Sequence, residues 1–552
     1  MKQRELTVTL CIIWAVSLLY GEMLAFWLPS LWSCSWPHLR SSNPKIERAR
    51  DPTDYVKIAV LTDPQLMDRT SHRLPPKSFA LETAQFYTDL FMRRAFLASV
   101  LPFKPDVILF LGDYFDGGPY LSNEEWQESL SRFRHIFALN EQGRHEEIQV
   151  YYLPGNHDIG YESVHSHKPE VINRYEKEFG IRNYRFTSGK VEFVVIDSQT
   201  LDGKQVRLCI KTLGILNTGN PQENLASSTW EFVKNVSMDG QSYPRILLTH
   251  IPLYRRDGTY CGTNRYSSII NQRITYHGKE IWYQNYVSEE SSNLLLDLLK
   301  PVLVLSGHDH DQCNVTHETK FGPVVETTVG TVSWQQGNLY PSFMLLSASN
   351  FVLPNGSSSW DAVLTHLCFL PSQLFIYLWY LALFILTLLA LLLWPAGGIN
   401  VWRWLSGLLE YGKKLKSINI FSDGTKEKDE DLNCEYDMIW DAEGSMHLVK
   451  RPLNTPNTGS SETNSYERGN AVMRPAARKN ALQESEMCLN VDIINADGGG
   501  IDQMAKLPAR ASKSWRKIVI QRLVRTFGML SIIAAVNIPI YMILLFKDWI
   551  EQ

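Results

Sequence analysis

Five hydrophobic runs in this 552-residue chain end in residues able to hold a metal ion. They are Val60-Leu61-Thr62-Asp63-Pro64-Gln65, Val107 to Asp113, Tyr151 to Asp158 through Asn156 and His157, Ile246 to His250, and Val302 to His310 through His308. One Asp or His at a strand end is ordinarily a turn residue, but five such endings in one domain form a constellation. Asp, Asn, His and an amide oxygen suit a pair of divalent ions of the manganese, iron or zinc kind. Two ions about 3.5–4 Å apart polarise a phosphoryl oxygen and activate a bridging water for in-line attack. A carboxylate shared by both ions must come from between the half-sites, and Asp113 is the candidate. His157, beside a ligand in sequence yet free to point elsewhere, is the candidate general acid for the leaving oxygen.

This chemistry needs strands that deliver each ligand at a sheet edge. Every candidate follows an apolar β-prone run, broken by glycine or proline as at Pro154-Gly155. Between the first two strands, Phe86, Leu90, Phe91, Leu97 and Val100 predict a helix with a core face, from near Thr83 to just before Pro102. Tyr184–Thr187 and Val191–Asp197 predict a hairpin, and a sheet-rich region runs from Val324 to Leu346. The expected fold class is an α/β sandwich of two sheets flanked by helices (αββα), over about residues 55–350.

Net charge is −4, so nothing global suggests a nucleic-acid partner. Three apolar runs, 6–28, 374–394 and 527–546, each have about the length that crosses a bilayer core of ~30 Å. The first is interrupted only by Glu22; it lacks a small-x-small cleavage site and continues through Phe26-Trp27-Leu28. It reads as an uncleaved anchor, the alternative being a cleaved signal peptide. The third contains Asn537 and Pro539, which a spanning helix tolerates when its neighbours satisfy the freed groups.

Lys2 and Arg4 precede the first run, Arg403, Lys413, Lys414 and Lys416 follow the second, and Arg510, Lys513, Arg516, Lys517, Arg522 and Arg525 precede the third. Three spans put all these clusters on the cytosolic side and leave about residues 30–370 in a lumen or outside the cell. Glycosylation sequons at Asn235, Asn314 and Asn355 fall in that segment. So do Cys34, Cys209, Cys261, Cys313 and Cys368, an odd set whose pairing the sequence leaves open. Residues 395–515 are expected to form a cytosolic, largely disordered loop, with an acidic run at 426–431, a Ser/Thr/Asn/Pro stretch and Gly498-Gly499-Gly500. Its apolar island, Met438-Ile439-Trp440, is either a docking point for an unknown partner or an incidental cluster.

Gly112-Asp113-Tyr114-Phe115-Asp116, Gly155-Asn156-His157-Asp158 and Gly307-His308-Asp309-His310 resemble, in order, the signature loops of the calcineurin-like metallophosphoesterases. The resemblance implies that Asp63, Gln65, Asp113 and His310 hold one ion, that Asp113, Asn156, His250 and His308 hold the other, and that Asp116 orients His157. Two departures stand out. Gln65 replaces the usual His of the first loop, which tilts the expected metal toward manganese over zinc or iron. Gly117-Gly118 replace the Arg that protein phosphatases of the family carry after the second Asp. The layout further resembles the membrane-anchored metallophosphoesterase 1 group, through Glu22-Met23-Leu24 to Trp36-Pro37, Pro252-Leu253-Tyr254-Arg255-Arg256 and Leu303 to His310. That group implies a phosphodiesterase that removes ethanolamine-phosphate from the GPI glycans of lipid-anchored proteins. It also implies a multi-pass location in the endoplasmic reticulum or Golgi, with the catalytic domain lumenal, and support of ER-to-Golgi transport. Arg255 or Arg256 is a candidate contact for the substrate phosphate. The competing readings are a phosphomonoesterase or phosphoprotein phosphatase on the same scaffold, and a non-catalytic membrane cargo adaptor.

Overall fold

The computed structural model describes residues 2–37, 54–72, 74–139, 148–161, 168–202, 228–267, 274–277, 280–351, 362–394, 434–440, 446–452 and 515–550. In chain order the strands are β1 (Tyr55–Leu61), β2 (Val107–Phe110), β3 (Gln149–Tyr152), β4 (Tyr184–Ser188), β5 (Val191–Val195), β6 (Arg245–Leu248), β7 (Ile274–His277), β8 (Glu280–Gln284), β9 (Leu303–Ser306), β10 (Cys313–Thr319), β11 (Gly322–Thr328), β12 (Ser342–Ser349), β13 (Val363–Phe369), β14 (Cys434–Trp440) and β15 (Met446–Pro452). One sheet has the order β13-β12-β1-β2-β3 and the other β10-β11-β9-β6-β5-β4. Strands β1, β2 and β3 run parallel, as do β5, β6, β9 and β11, so in each sheet the ligand-bearing strands end at the same edge.

Side-chain alternation decides which residues fill which layer. Ile58 and Val60 point between the sheets, against Phe193, Ile246, Leu305 and Met344. Ala59 and Leu61 point the other way, into a layer with Phe91, Phe96, Ile108, Phe110 and Phe133. Leu247 and Val304 face the helices Ser228–Met238 and Glu289–Leu299 through Trp230, Val233 and Leu295. With both faces covered, the strands read as continuous apolar runs, not as alternating ones. Burying each such side chain is worth about 1.5–3 kcal/mol before chain entropy is counted. The arrangement is the expected two-sheet αββα sandwich.

The helix after β1 begins earlier than expected, at Phe79, because Ser78 caps it by accepting from the Leu81 amide at 3.3 Å. It continues past Arg94 as π and 3-10 turns to Phe103. Phe86 was expected on its core face, but it packs on Trp549 and Phe546, with ring centroids 5.2 and 6.3 Å away.

Among the described residues three helices are long and apolar enough to cross a membrane: Gln3–Ser33, Gln373–Leu393 and Trp515–Ile550. The first and third overrun their apolar stretches because their ends are held by protein. Ser99 Oγ donates to Phe26 O at 2.5 Å and Ser30 Oγ to Ala98 O at 3.0 Å. Arg94 joins the first and third helices to the domain. It pairs with Glu22 at 2.5 Å and Asp548 at 3.1 Å and donates to Leu544 O, while Tyr380 donates to Glu22 at 3.0 Å. At the opposite end Leu6 and Leu10 meet Leu391 and Met529, and Arg525 donates to Trp394 O at 3.1 Å. Lys2, Arg4 and the basic first turns of the third helix therefore share the end away from the sandwich. Pro539 lies inside a continuous helix, and Asn537 Nδ2 donates back to Ile533 O at 2.9 Å.

Residues 400–514 form a separate unit. Within it β14 pairs with β15 in an antiparallel hairpin that includes Met438-Ile439-Trp440. The acidic run, the Ser/Thr-rich stretch and the triple glycine lie outside the described residues.

Candidate metal centre

Five loops leave the strand ends and converge, and their backbones are unusual where the candidate ligands sit. Asp63, Gln65, Asp113, His308 and His310 have φ of 50°, 39°, 56°, 69° and 57°. They make up five of the nine non-glycine residues with positive φ among the described residues. This conformation is costly for an L-residue, and its concentration here marks a place where side-chain direction outweighs local strain. The flanking glycines permit the close approach: a Cβ on Gly155 would overlap Asp113 Oδ1, and one on Gly307 would overlap Thr62 Oγ1.

Asp113 stands in two clusters of donor atoms lying within 4.8 Å of one another, one with His250 and His308 and the other with Asp63 and His310. Its position between the half-sites is the one a bridging carboxylate needs. His250 Nε2 is 3.1 Å from Asp113 Oδ2 and 3.2 Å from Asn156 Oδ1. The other His250 nitrogen, Nδ1, donates to Leu111 O at 2.7 Å, which leaves Nε2 as the ligating atom. His308 Nε2 donates to Gln284 O at 2.8 Å, which turns its Nδ1 inward. Asp63 accepts from Thr62 Oγ1 at 2.6 Å and from the His308 amide at 3.1 Å, and lies 3.8 Å from His310 Nε2. Gln65 does reach the centre, but as a donor: Nε2 meets Asp113 Oδ2 at 3.1 Å. In this contact the amide orients the shared carboxylate, where an oxygen ligand was expected.

Asp63 and Asp113 are fully buried. Among the described residues neither forms an ion pair with Lys or Arg; their partners are imidazoles. Burial opposes ionisation of Asp113, but His250 and His157 outweigh it and hold its carboxyl well below the usual range. Burial likewise opposes charging His250, yet the Asp113 and Asp63 carboxylates lift it to about 9. Burial and the charge on His250 push His308 down to about 3, so His308 is neutral. Buried carboxylates of this kind need positive charge, and the proton on His250 sits where a cation would take its place, since metal binding displaces ligand protons. The donor set fits two divalent ions. We expect Gln65→Ala to weaken manganese and zinc alike, by about 10- to 100-fold, because it removes a hydrogen bond to a ligand and not a ligand. Titration of both metals into the metal-free chain measures this, and a selective loss of manganese affinity would show direct ligation by the amide.

His157 is half exposed beside the cluster, and its amide donates to Asp113 Oδ1 at 2.8 Å. The expected orienting partner, Asp116, holds the ring chiefly through its main-chain carbonyl, with Asp116 Oδ1 3.6 Å from Nδ1. Asp158, given no role from sequence, accepts from the amides of Asp113, Tyr114 and Gly155, each at 2.8 Å. It thus fixes the turn that presents Asp113. Its place in the Gly-Asn-His-Asp run was the available signal; the carbonyls of Leu111 and Gln284 left none.

Arg255 is a correction. It is buried, with Nη2 3.2 Å from Glu326 Oε2 and 2.8 Å from Thr328 Oγ1 and the guanidinium 5.0 Å over the Tyr286 ring, so it serves the interior and does not meet substrate. Arg256 is exposed on the same loop. Glu326 also accepts from Ser306 and pairs with His317 at 2.8 Å. Burial would raise its carboxyl, but Arg255 and His317 outweigh this and lower it to about 2. Its contribution to stability is present above the ordinary glutamate range and is lost as pH falls toward about 2. Glu326→Gln leaves Arg255 buried without a counter-charge and should cost about 3–5 kcal/mol, read by denaturant unfolding at neutral pH.

Asn235 and Asn314 are exposed, and Asn355 lies outside the described residues. Cys34 pairs with Cys368 and Cys261 with Cys313, and Cys209 lies outside the described residues.

The calcineurin-like phosphoesterase model matches residues 56–312, which span every ligand loop. A Metallophosphoesterase 1 from Pongo abelii is 30% identical over 347 residues, covering 61% of this chain and 78% of that one. This chain belongs to the calcineurin-like phosphoesterase family. Metallophosphoesterase 1 from Xenopus laevis is 28% identical over 376 residues, covering 64% of this phosphoesterase and 80% of its relative. Cell division control protein 1 of Saccharomyces cerevisiae is 29% identical, covering 58% of this chain and 63% of the yeast protein. This phosphoesterase is a hydrolase of phosphoric esters with a site for divalent metal.

Proposed function

We propose that this phosphoesterase is a membrane-bound, manganese-favouring phosphodiesterase that removes ethanolamine-phosphate from the glycan of GPI-anchored proteins, on the lumenal side of the early secretory pathway. The observation that carries the reading is the seat of the sandwich. Arg94 binds Glu22 and Asp548 from two apolar helices, which supports a sandwich seated against the membrane that would carry a lipid-anchored substrate. Two disulfides and two exposed sequon asparagines in the same domain support an oxidising lumen. The basic ends of the first and third helices support a cytosolic opposite side.

When bound, the two ions would supply phosphoryl polarisation and an activated water. Asp63, Asp113 and His310 would hold one, and Asp113, Asn156, His250 and His308 the other. Gln65 and Asp158 fix the shared carboxylate. Asp116 anchors His157 through Nδ1, so Nε2 is the atom that delivers a proton to the leaving oxygen. Arg256 is the arginine of its loop open to a substrate phosphate.

A phosphoprotein phosphatase is disfavoured for a steric reason. Gly117 stands where that class has Arg, its amide donates to Asp68 at 2.8 Å, and a Cβ there would overlap Thr70. A cargo adaptor has no need of the poised His157.

Two measurements test the proposal. Protease added to sealed microsomes should destroy an epitope near Gly459 and spare one near Asp197; protection of both contradicts the topology. Mass spectrometry of a GPI glycan bearing ethanolamine-phosphate should show that group lost on incubation with the manganese-loaded full-length chain, and an unchanged glycan contradicts the substrate.

A further inference from the structure

Two cavities that share wall residues lie where the sandwich meets the apolar helices. The upper, of about 780 Å³, is walled by Tyr87, Trp334, Gln335, Asn338, Gln373 and Tyr377. The lower, of about 410 Å³, lies between the three helices and is lined by Trp14, Phe384, Ile533 and Asn537. Tyr380 and Tyr541 belong to both. The character changes along the path, from aromatic and amide groups above to an almost wholly apolar lining below.

The upper chamber touches the loops of the metal centre. Met67, in its wall, lies two residues beyond Gln65. Asn338 Nδ2 donates to His310 O at 2.9 Å. Tyr541 and Tyr87 are 3.2 Å apart at their hydroxyls, which ties the third helix to the sandwich at the neck between the cavities.

We propose that this path is a lipid-binding track, which takes the hydrocarbon chain of a membrane lipid in the lower cleft and its polar head in the upper chamber. The occupant is set by the gradient. A soluble sugar phosphate would leave the lower cleft empty, and a peptide would leave its own amides unmet there. An amphipathic molecule whose apolar end enters from the bilayer matches both halves. Aromatic walls with amide side chains among them suit an interfacial head group, as Tyr and Trp do at membrane surfaces. The track deepens the phosphodiesterase reading, since it would hold a lipid-linked diester by its anchor beside the ligand loops, and it rests on that reading only for the chemistry.

The test uses the full chain in phosphatidylcholine vesicles that contain a phosphatidylethanolamine with a diazirine in one acyl chain. After irradiation, labelling should concentrate on Tyr380, Ile533, Asn537 and Tyr541 over the outward-facing Ile532 and Ile543. Ala534→Phe in the cleft should lower labelling of Tyr380 and Tyr541 by about tenfold or more, since a filled cleft forfeits the burial of several methylenes, and leave Ile532 and Ile543 unchanged. Ala84→Trp, in the upper chamber, should do the same from the other end. Both variants should hydrolyse bis(p-nitrophenyl) phosphate as the wild type does, which shows that they fold. Equal labelling on all faces, or labelling at Tyr380 and Tyr541 unmoved by both variants, overturns the track. If the wild type hydrolyses no diester, the phosphodiesterase reading falls, while the labelling still decides whether the track exists.

Discussion

Asp113→Ala should abolish both metal binding and turnover. Asp113 is the one carboxylate shared by the two donor clusters, and it also accepts from Gln65 and the His157 amide. Without it, each half-site loses a charged ligand in a buried region where nothing replaces it. The loss of two-ion catalysis is worth several kcal/mol, so diester hydrolysis should fall by more than about 10³-fold. Elemental analysis of the purified variant should find little bound metal. Full occupancy of both sites in Asp113→Ala would remove it from the bridging position.

His157→Ala should dissociate the two effects. The ring stands outside both donor clusters and is held by Asp116, while its backbone amide, which the substitution keeps, is what touches Asp113. Metal content should stay near that of the wild type, with turnover reduced about 10²- to 10⁴-fold, as for a lost general acid. Using a diester with a good leaving group, which needs little protonation, should restore much of the rate. Metal loss equal to that of Asp113→Ala would make His157 a ligand.

The ligand loops were legible because parallel strands buried on both faces leave long apolar runs, and each run stops at the residue that turns into the site. That pattern marked the loops, the resemblance of three of them to the calcineurin-like signature named Asp63, Asp113, Asn156, His250, His308 and His310 as ligands, and the structure brings these residues together. Gln65 could be placed in its loop from sequence, but the contact of its amide nitrogen with Asp113 could not, since an amide carries both a donor and an acceptor. Arg255 misled because two adjacent arginines after a ligand look alike in sequence; burial against Glu326, 71 positions away, separates them. Disulfide partners were beyond reach for the same reason: Cys34 and Cys368 are 334 positions apart and meet only once the first helix lies against β13. Glu22 looked like a flaw in an apolar run, and its meaning appears only with Arg94 beside it.

The most direct test is a metal titration of the stripped full-length chain, with hydrolysis of bis(p-nitrophenyl) phosphate followed at each addition of manganese. Activity should rise to a plateau at two ions per chain and vanish again on chelation. A plateau at one ion, or hydrolysis undiminished in the stripped protein, would contradict a two-ion centre bridged by Asp113.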